Sequence, residues 1–219
     1  MTHNARRSAT SGSRTLPLVA GLNRLTASER DADRIAHTVS AALAVRGGSG
    51  ITVATHWARV GDLRHVALSV ESTGLTPAVF SDVLATATHP EEGDHPDAQP
   101  VPGCLLSDRY TGPPELRSST ETAVAAHLAR SSGRVVVFPG SELLSGTISV
   151  GRVLAMSALN RVDVLAGGEA APDVLLVTRD FVRARWTAGE LVLDTQPAAG
   201  GTLVPFETPF PTPCCVHHT

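Results

Sequence analysis

Lysine is absent from this sequence, and all 18 of its basic residues are arginines. Without lysine, the chain cannot form the Schiff base that anchors pyridoxal phosphate. Residues 140–147 have glycines spaced somewhat like those of a P-loop, but they lack the lysine that contacts the β and γ phosphates. A bias toward arginine is typical of genomes rich in G and C, so we expect an actinobacterial source.

Aromatic residues are also scarce, at 4% of the chain, whereas hydrophobic residues make up 42%. A sizeable core can therefore form, but it must consist mainly of alanine, valine and leucine. The net charge is −3 and the sequence has no dense basic stripe, so nucleic acid is not an expected partner. No apolar run approaches the ~20 residues of a membrane-spanning helix, so a membrane is not an expected partner either.

Three cysteines are too few for a disulfide framework and predict a protein of a reduced cytosol. Arg6 and Arg7 invite comparison with a twin-arginine export signal. The apolar stretch that follows, residues 16–22, is short and is interrupted by Pro17, unlike the apolar region of an export signal. We therefore predict a cytoplasmic protein.

Composition divides the chain into three parts. Residues 1–15 are small and polar, which predicts a disordered segment. Residues 16–204 carry periodic apolar patterns and are predicted to form a single mixed α/β domain. Residues 205–219 are rich in proline and are predicted to form an extended tail that carries cysteine and histidine.

Helical periodicity recurs along the predicted domain. Ser28 is a candidate N-cap for a first helix that ends at Gly47, and Pro77 suits the start of a second. Further helices are predicted over 113–131 and 147–159. Predicted strands lie at 51–60, 63–72, 134–138, 162–165, 174–177, 181–186, 191–194 and 203–206.

The fold class follows from the order of these elements. Two hairpins within the series favour an α+β fold, a mixed, largely antiparallel sheet with three or four helices packed on it. The first hairpin turns at Gly61 and Asp62. That turn predicts an apolar core face made of three cross-strand pairs: Val53 with Val70, Thr55 with Leu68, and Trp57 with Val66.

The opposite face of this hairpin is predicted to be polar and exposed to solvent. His56 and His65 would lie diagonally on it, roughly 7–8 Å apart by Cα. A base or metal-binding pair is one interpretation, and two solvated histidines are the commoner one. His127 lies on a predicted helix, where a partly buried histidine with a satisfied partner is the ordinary expectation.

The most distinctive chemical pattern is at the end of the sequence, where four residues with soft or borderline ligand atoms crowd together: Cys214, Cys215, His217 and His218. Thiolate and imidazole are ligands for zinc or Cu(I). Adjacent cysteines rarely bind one tetrahedral ion by themselves, so completing ligands are needed, with these candidates: His56, His65 and Cys104. The alternatives are a vicinal disulfide, a reactive thiolate, buried cysteines, or a tail without chemistry.

Two weaker patterns remain. One loop is rich in oxygen and imidazole ligands that could hold a divalent ion, although a solvated acidic loop explains it equally: His89, Glu91, Glu92, Asp94, His95 and Asp97. An anion site is predicted at the N-terminus of the helix expected over 147–159, from these residues: Ser145, Gly146 and Thr147. The standard Gly-x-Ser-x-Gly, His-Glu-x-x-His and Cys-x-x-Cys motifs are missing from the sequence.

Two functional classes are consistent with these observations. The first is a small enzyme or ligand-binding protein that uses the Cys-Cys-x-His-His tail for soft-metal or thiol chemistry. The second is a non-catalytic interaction or assembly protein whose proline-rich tail docks on a protein partner or on another copy of the chain. The sequence identifies neither a substrate nor a reaction.

Overall fold

The computed structural model of the protein describes residues 16–87 and 101–209. Within these ranges the chain forms four α-helices: α1 (Glu29–Val45), α2 (Pro77–Ala87), α3 (Arg117–Leu128) and α4 (Val150–Met156). The strands in the same ranges are β1 (Leu18–Thr26), β2 (Ser49–Val60), β3 (Leu63–Thr73), β4 (Gly103–Leu106), β5 (Arg109–Thr111), β6 (Arg134–Val137), β7 (Thr147–Ser149), β8 (Arg161–Val164), β9 (Gly168–Glu169), β10 (Leu175–Val177), β11 (Ala184–Thr187), β12 (Glu190–Ala198) and β13 (Thr202–Pro205).

The strands form one mixed sheet in the order β5-β4-β1-β3-β2-β6-β11-β12-β13-β10-β7. Strands β8 and β9 branch from it, because β8 pairs with β12 and β9 pairs with β8. Most neighbours are antiparallel, and only the β10–β13 and β8–β12 pairs are parallel within the described residues. The predicted α+β class, with a mixed and largely antiparallel sheet, is confirmed.

The first half of the sheet has a recognisable topology. Its elements follow the order β1-α1-β2-β3-α2-β4, and its strands lie in the order β4-β1-β3-β2. This is the split βαβ arrangement of ferredoxin-like folds. Both crossover helices pack on one face of the sheet, over a core that includes Leu22, Val66 and Leu68.

Helix α1 forms where the sequence predicts it. The Ser28 side chain accepts a hydrogen bond from the Asp31 backbone N–H at 3.1 Å, which caps the first turn. Its buried residues recur at helical spacing and face the sheet: Ala32, Ala36, Val39 and Leu43. The helix ends at Val45, immediately before Arg46 and Gly47.

The register of the first hairpin is confirmed, because Val53 pairs with Val70, Thr55 with Leu68, and Trp57 with Val66. The prediction that Trp57 faces the core is wrong. Its side chain is 46% exposed, its Nε1–H donates to Glu29, and Arg64 stacks over its ring. Trp57 lies beside the first turn of α1, where it contacts the Glu29 carboxylate and not an apolar side chain.

The expectation of a solvent-exposed face on this hairpin is also wrong. Helix α3 packs across β1, β2, β3 and β4 on the side opposite α1 and α2. It approaches β1 closely, since a Cβ on Gly21 would lie 2.6 Å from the Thr120 Cγ2 atom. The polar residues of this face are therefore buried beneath a helix, and His65 is fully buried.

Several elements differ from the predictions, among them β1 and the elements over 147–156. Residues 18–26 form strand β1, which pairs with β3 and β4 and lies inside the sheet. The predicted helix over 147–159 begins only at Val150, with Ser149 as its N-cap. The preceding residues, 147–149, pair with β10 as strand β7.

A second hydrophobic cluster supports the other half of the sheet. It combines buried residues of α4 and of strands β6 to β13, such as Val153, Leu176 and Leu193. Strands β2 and β6 pair with each other and join the two halves of the sheet, so both clusters pack on one continuous sheet. No helix in the described part of the chain is long and apolar enough to cross a membrane.

Candidate functional site

A cavity with a volume of about 870 Å³ lies between α1 and the end of β6. We call it the α1–β6 cleft. Its floor is apolar and includes these side chains: Ala41, Ala44, Ile51, Val136, Phe138 and Val182. Its rim carries polar groups: His37, Ser40, Glu142, Ser145, Asp180 and Arg183.

The cleft opens because strand β6 ends in a tight turn. Gly140 in this turn has φ +83°, and a Cβ there would lie 2.2 Å from the Met156 carbonyl oxygen. Only glycine fits so close to the backbone that follows α4. Residues of the segment that follows the turn, over 141–145, line the cavity together with residues of α1.

Charges at the rim of the cleft are unevenly compensated. Arg183 donates to the Asp33 carboxylate from Nε and Nη2, at 2.9 and 2.8 Å. Burial, followed by the charge of Arg183, lowers the pKa of His37, although Asp33 opposes this shift. His37 is therefore neutral at pH 7. Glu142 and Asp180 form no salt bridge with any residue in 16–87 or 101–209, so the rim has an excess of negative charge.

A buried ion cluster lies behind this rim. Asp33 of α1 binds both Arg134 of β6 and Arg183, and Arg134 donates from Nε to Glu207 at 2.8 Å. Burial alone would raise the pKa of Asp33, but hydrogen bonds and charges from the two arginines outweigh it and lower that pKa. The cluster links α1, β6 and the residues that follow β13.

A second polar assembly lies between α3 and the sheet. His56 Nε2 is 2.8 Å from Ser69 Oγ, which is 2.8 Å from His127 Nδ1. His127 Nε2 lies 2.9 Å from a Glu71 carboxylate oxygen, which also accepts from Arg130. We call these five residues the α3 network.

The α3 network is anchored by its position in the fold. His56 belongs to β2. Ser69 and Glu71 are two residues apart in β3 and therefore lie on the same face of that strand. His127 lies on the buried stripe of α3 and is 0% exposed. Burial, then the charge of His127, lowers the pKa of His56 to about 4. Burial alone would raise the pKa of Glu71, but hydrogen bonds and charges from His127 and Arg130 lower it.

His65 does not join this network. Its Nε2 atom is 3.0 Å from Asn23 Nδ2, and Asn23 also donates to Ser119 Oγ at 2.8 Å. Burial lowers the pKa of His65, with a smaller opposing effect from the Leu63 backbone. His56 and His65 thus have separate partners although they share the predicted face.

Cys104 lies on the opposite side of the sheet from both histidines. Its side chain packs against the core beneath α1 and α2, and burial raises the pKa of its thiol. The described residues contain no group of three or more His, Cys, Asp or Glu side chains that could hold a metal ion. His56, His65 and Cys104 therefore do not converge on one another.

Several predicted site residues lie outside the described ranges. These are the ligands of the tail, Cys214, Cys215, His217 and His218, and the acidic loop over 89–97. Their proposed chemistry stays a prediction.

The anion site was predicted at a helix N-terminus, but no α-helix begins at these residues in the structure. Thr147 belongs to strand β7, and the helix begins three residues later. The Gly146 N–H donates at 3.1 Å to the Asp180 carboxylate, and the Ser145 N–H donates to the Leu143 carbonyl. Anion binding at Ser145, Gly146 and Thr147 therefore stays a prediction, without the helix dipole as its physical basis.

Sequence reasoning missed the ion cluster and most of the α3 network. Asp33 occupies a core position of the α1 pattern, and Glu71 continues the alternation of β3, which are the available signals. Neither signal names a partner, because the partners come from α3, from β6 and from Arg183, the residue before β11. Comparison with known proteins gives no further guide: no family model, no curated protein and no solved structure matches this chain.

Proposed function

We propose that this protein binds a small amphipathic molecule with a positively charged group in the α1–β6 cleft. The volume of the cleft, about 870 Å³, carries this proposal. Small-molecule sites are typically concave, occupy roughly 300–1,000 Å³, and have an apolar lining with a few polar groups. The cleft has this anatomy.

The charge of the ligand follows from the rim. Arg183 is neutralised by Asp33, and the lowered pKa of His37 keeps that imidazole uncharged at neutral pH. Glu142 and Asp180 then supply the uncompensated charge. A ligand with an ammonium group near these carboxylates and an apolar body on the floor of the cleft fits this arrangement.

Tryptamine and indole-3-propionate provide a matched pair of probes, because they share an indole ring and carry opposite charges. We expect tryptamine to shift the NMR amide signals of Ile51 and Gly140. Each exposed charge contact contributes up to about 1 kcal/mol, so the anion should bind roughly tenfold more weakly.

A blocking variant connects the signal to the cleft. Ala41 is an exposed alanine of α1 that lines the cavity, so Ala41→Trp fills the cleft without disturbing the core. Ala125→Trp places the same side chain on the exposed side of α3 as a control. Loss of tryptamine binding in the first variant alone supports the proposal, whereas equal binding in both variants contradicts it.

A second candidate function is the soft-metal or thiol chemistry predicted for the tail. The observation that favours it is the end of the described chain, where Glu207 binds Arg134. Arg134 also lines a groove of about 300 Å³ that contains His56. Cys214 follows Pro209 by five residues, and an extended chain of that length reaches about 17 Å.

Metal content after anaerobic purification tests this second candidate. Stoichiometric zinc or copper that is lost in the Cys214→Ser, Cys215→Ser double variant supports it. His37→Gln serves as the control because His37 lines the other cavity. Metal below stoichiometry, with ordinary thiol reactivity, contradicts the candidate and favours a tail that docks on a partner.

A further inference from the structure

The two nitrogens of the His56 ring have different surroundings. Nε2 contacts Ser69, whereas Nδ1 makes no hydrogen bond with any described residue. Only two buried side-chain nitrogen or oxygen atoms in 16–87 and 101–209 lack a partner, and they belong to His65 and Trp186. The Nδ1 atom of His56 is therefore accessible from the groove of about 300 Å³ that its side chain lines. We call this cavity the His56 groove.

The backbone holds the His56 ring in place. Gly133 has φ +125°, and a Cβ at this position would lie 2.6 Å from His56 Cε1. The ring thus packs directly on the turn between α3 and β6. Glu29, Trp57 and Thr122 form other parts of the groove wall.

Two groups contact His127 Nε2: the Glu71 carboxylate, which only accepts, at 2.9 Å, and Arg130 Nη1, which only donates, at 3.2 Å. We assign the proton to Nε2 because the contact with the carboxylate is the shorter one, which leaves an unprotonated Nδ1 facing Ser69. Ser69 must then donate to His127 and accept from His56 Nε2–H. It follows that the lone pair of His56 Nδ1 points toward the groove.

Satisfaction of buried polar atoms does not by itself explain this arrangement. A chain built only for that purpose needs no accessible nitrogen lone pair at one end. This chain runs from a groove to a carboxylate whose charge Arg130 balances. An accessible base, a bridging hydroxyl and a second imidazole beside a carboxylate are the components of a proton relay.

We propose that the His56 groove is an acid–base catalytic site for small neutral substrates that react through a water or hydroxyl proton. That proton moves from oxygen to His56 Nδ1, and His56 releases its Nε2 proton to Ser69 Oγ. Ser69 passes its own hydroxyl proton to His127 Nδ1. His127 then carries the positive charge beside Glu71, and the substrate oxygen keeps the electron pair.

The relay overcomes a limitation of His56 alone. With a pKa of about 4, an isolated His56 is a weak base at neutral pH. Transfer to His127 places the charge next to the Glu71 carboxylate, which it shares with Arg130, and away from the groove. The other charged groups that line the groove are Glu29 and Arg134, and Arg134 is already paired with Asp33 and Glu207. His56 is thus the catalytic residue, and the other members of the α3 network are positioning residues.

Hydrolysis of p-nitrophenyl acetate by the full chain, in the presence of a metal chelator, tests the proposal. Water gives its proton to His56, its oxygen bonds to the carbonyl carbon, and the bond to p-nitrophenolate breaks. General-base catalysis contributes about 10²–10⁴-fold. We therefore expect His56→Gln to reduce the protein-dependent kcat/KM at least tenfold, while Asp82→Ala, which breaks only an exposed salt bridge on α2, leaves it unchanged. A wild type no faster than buffer, or a fully active His56→Gln variant, overturns the proposal.

The pH profile tests the positioning role. Ser69→Ala breaks the relay and leaves His56 to hold its own proton. We expect the acid limb of kcat/KM to move to lower pH and the rate at pH 7 to fall, with an unchanged far-UV circular dichroism spectrum. A reduced rate with an unshifted acid limb contradicts the relay.

A measurement on the wild type avoids any dependence on variants that fold poorly. The ¹⁵N NMR shifts of histidine distinguish a protonated ring nitrogen from an unprotonated one. At pH 7 we expect His56 to be protonated on Nε2 and unprotonated on Nδ1. The opposite tautomer overturns the proposal. Because the relay does not use the α1–β6 cleft, Ala41→Trp should leave ester hydrolysis unchanged.

Discussion

Removal of the Asp33 carboxylate should leave the buried positive charge of Arg183 without its carboxylate partner. Asp33 is 9% exposed and accepts hydrogen bonds from Arg134 and Arg183. In an Asp33→Ala variant Arg134 retains Glu207, whereas Arg183 retains the Val182 carbonyl at 3.0 Å and the face of the Phe181 ring but no carboxylate. The desolvation cost of the Arg183 guanidinium would then lack compensation.

The magnitude follows from measurements on buried ion pairs. Removal of one partner from such a pair costs about 3–5 kcal/mol. Domains have a free energy of unfolding of about 5–15 kcal/mol, so Asp33→Ala should remove a large part of it. For a chain of this length, a loss of 3 kcal/mol lowers Tm by roughly 6–12 °C.

Urea denaturation followed by circular dichroism measures this loss. Asp82→Ala is the matched control, because it breaks an exposed salt bridge with Arg46 that contributes at most about 1 kcal/mol. Replacement of both Asp33 and Arg183 by leucine should recover most of the stability, since no buried charge is then unpaired. Equal losses in Asp33→Ala and Asp82→Ala would refute the reasoning.

Three other perturbations have predicted outcomes. The lowered pKa of Asp33 stabilises the fold above its unfolded-state pKa of about 3.9, so urea titrations should show that the advantage of wild type over Asp33→Ala shrinks as pH falls below about 4. Gly140→Ala should lower Tm more than Gly189→Ala. Both glycines have a positive φ, but only a Cβ at Gly140 would clash with a backbone carbonyl, that of Met156. Equal decreases in Tm would contradict this close contact. Leu68→Ala should cost about 2–5 kcal/mol in urea denaturation, since Leu68 is fully buried, and a loss under 1 kcal/mol would place it outside the core.

Elements specified by local chemistry were predictable from the sequence. The cap at Ser28 located α1, and the Gly61–Asp62 turn set the register of nine residue pairs between β2 and β3, from Thr52 to Val60 of β2. A two-residue turn leaves little freedom in pairing, so the register follows from the turn alone. Strand β1 escaped prediction because consecutive residues in its middle, 20–23, are buried on both faces, so it lacks the alternation that marks a half-exposed strand.

Features that depend on tertiary packing were not predictable. The sequence shows that β3 alternates polar and apolar residues, but it does not show that α3 covers the polar side. His56 was therefore expected on a solvent face, although it belongs to a buried hydrogen-bond chain. The cleft likewise arises from the turn at Gly140, whose effect depends on the distant Met156 carbonyl.

A structure from crystals of the protein grown in the presence of tryptamine tests the proposed ligand site most directly. We expect the indole ring of tryptamine on the floor of the α1–β6 cleft, near Ala41 and Phe138, with its ammonium group toward Glu142 and Asp180. Tryptamine bound at another surface, with the cleft empty at concentrations that saturate the NMR shifts, would contradict it.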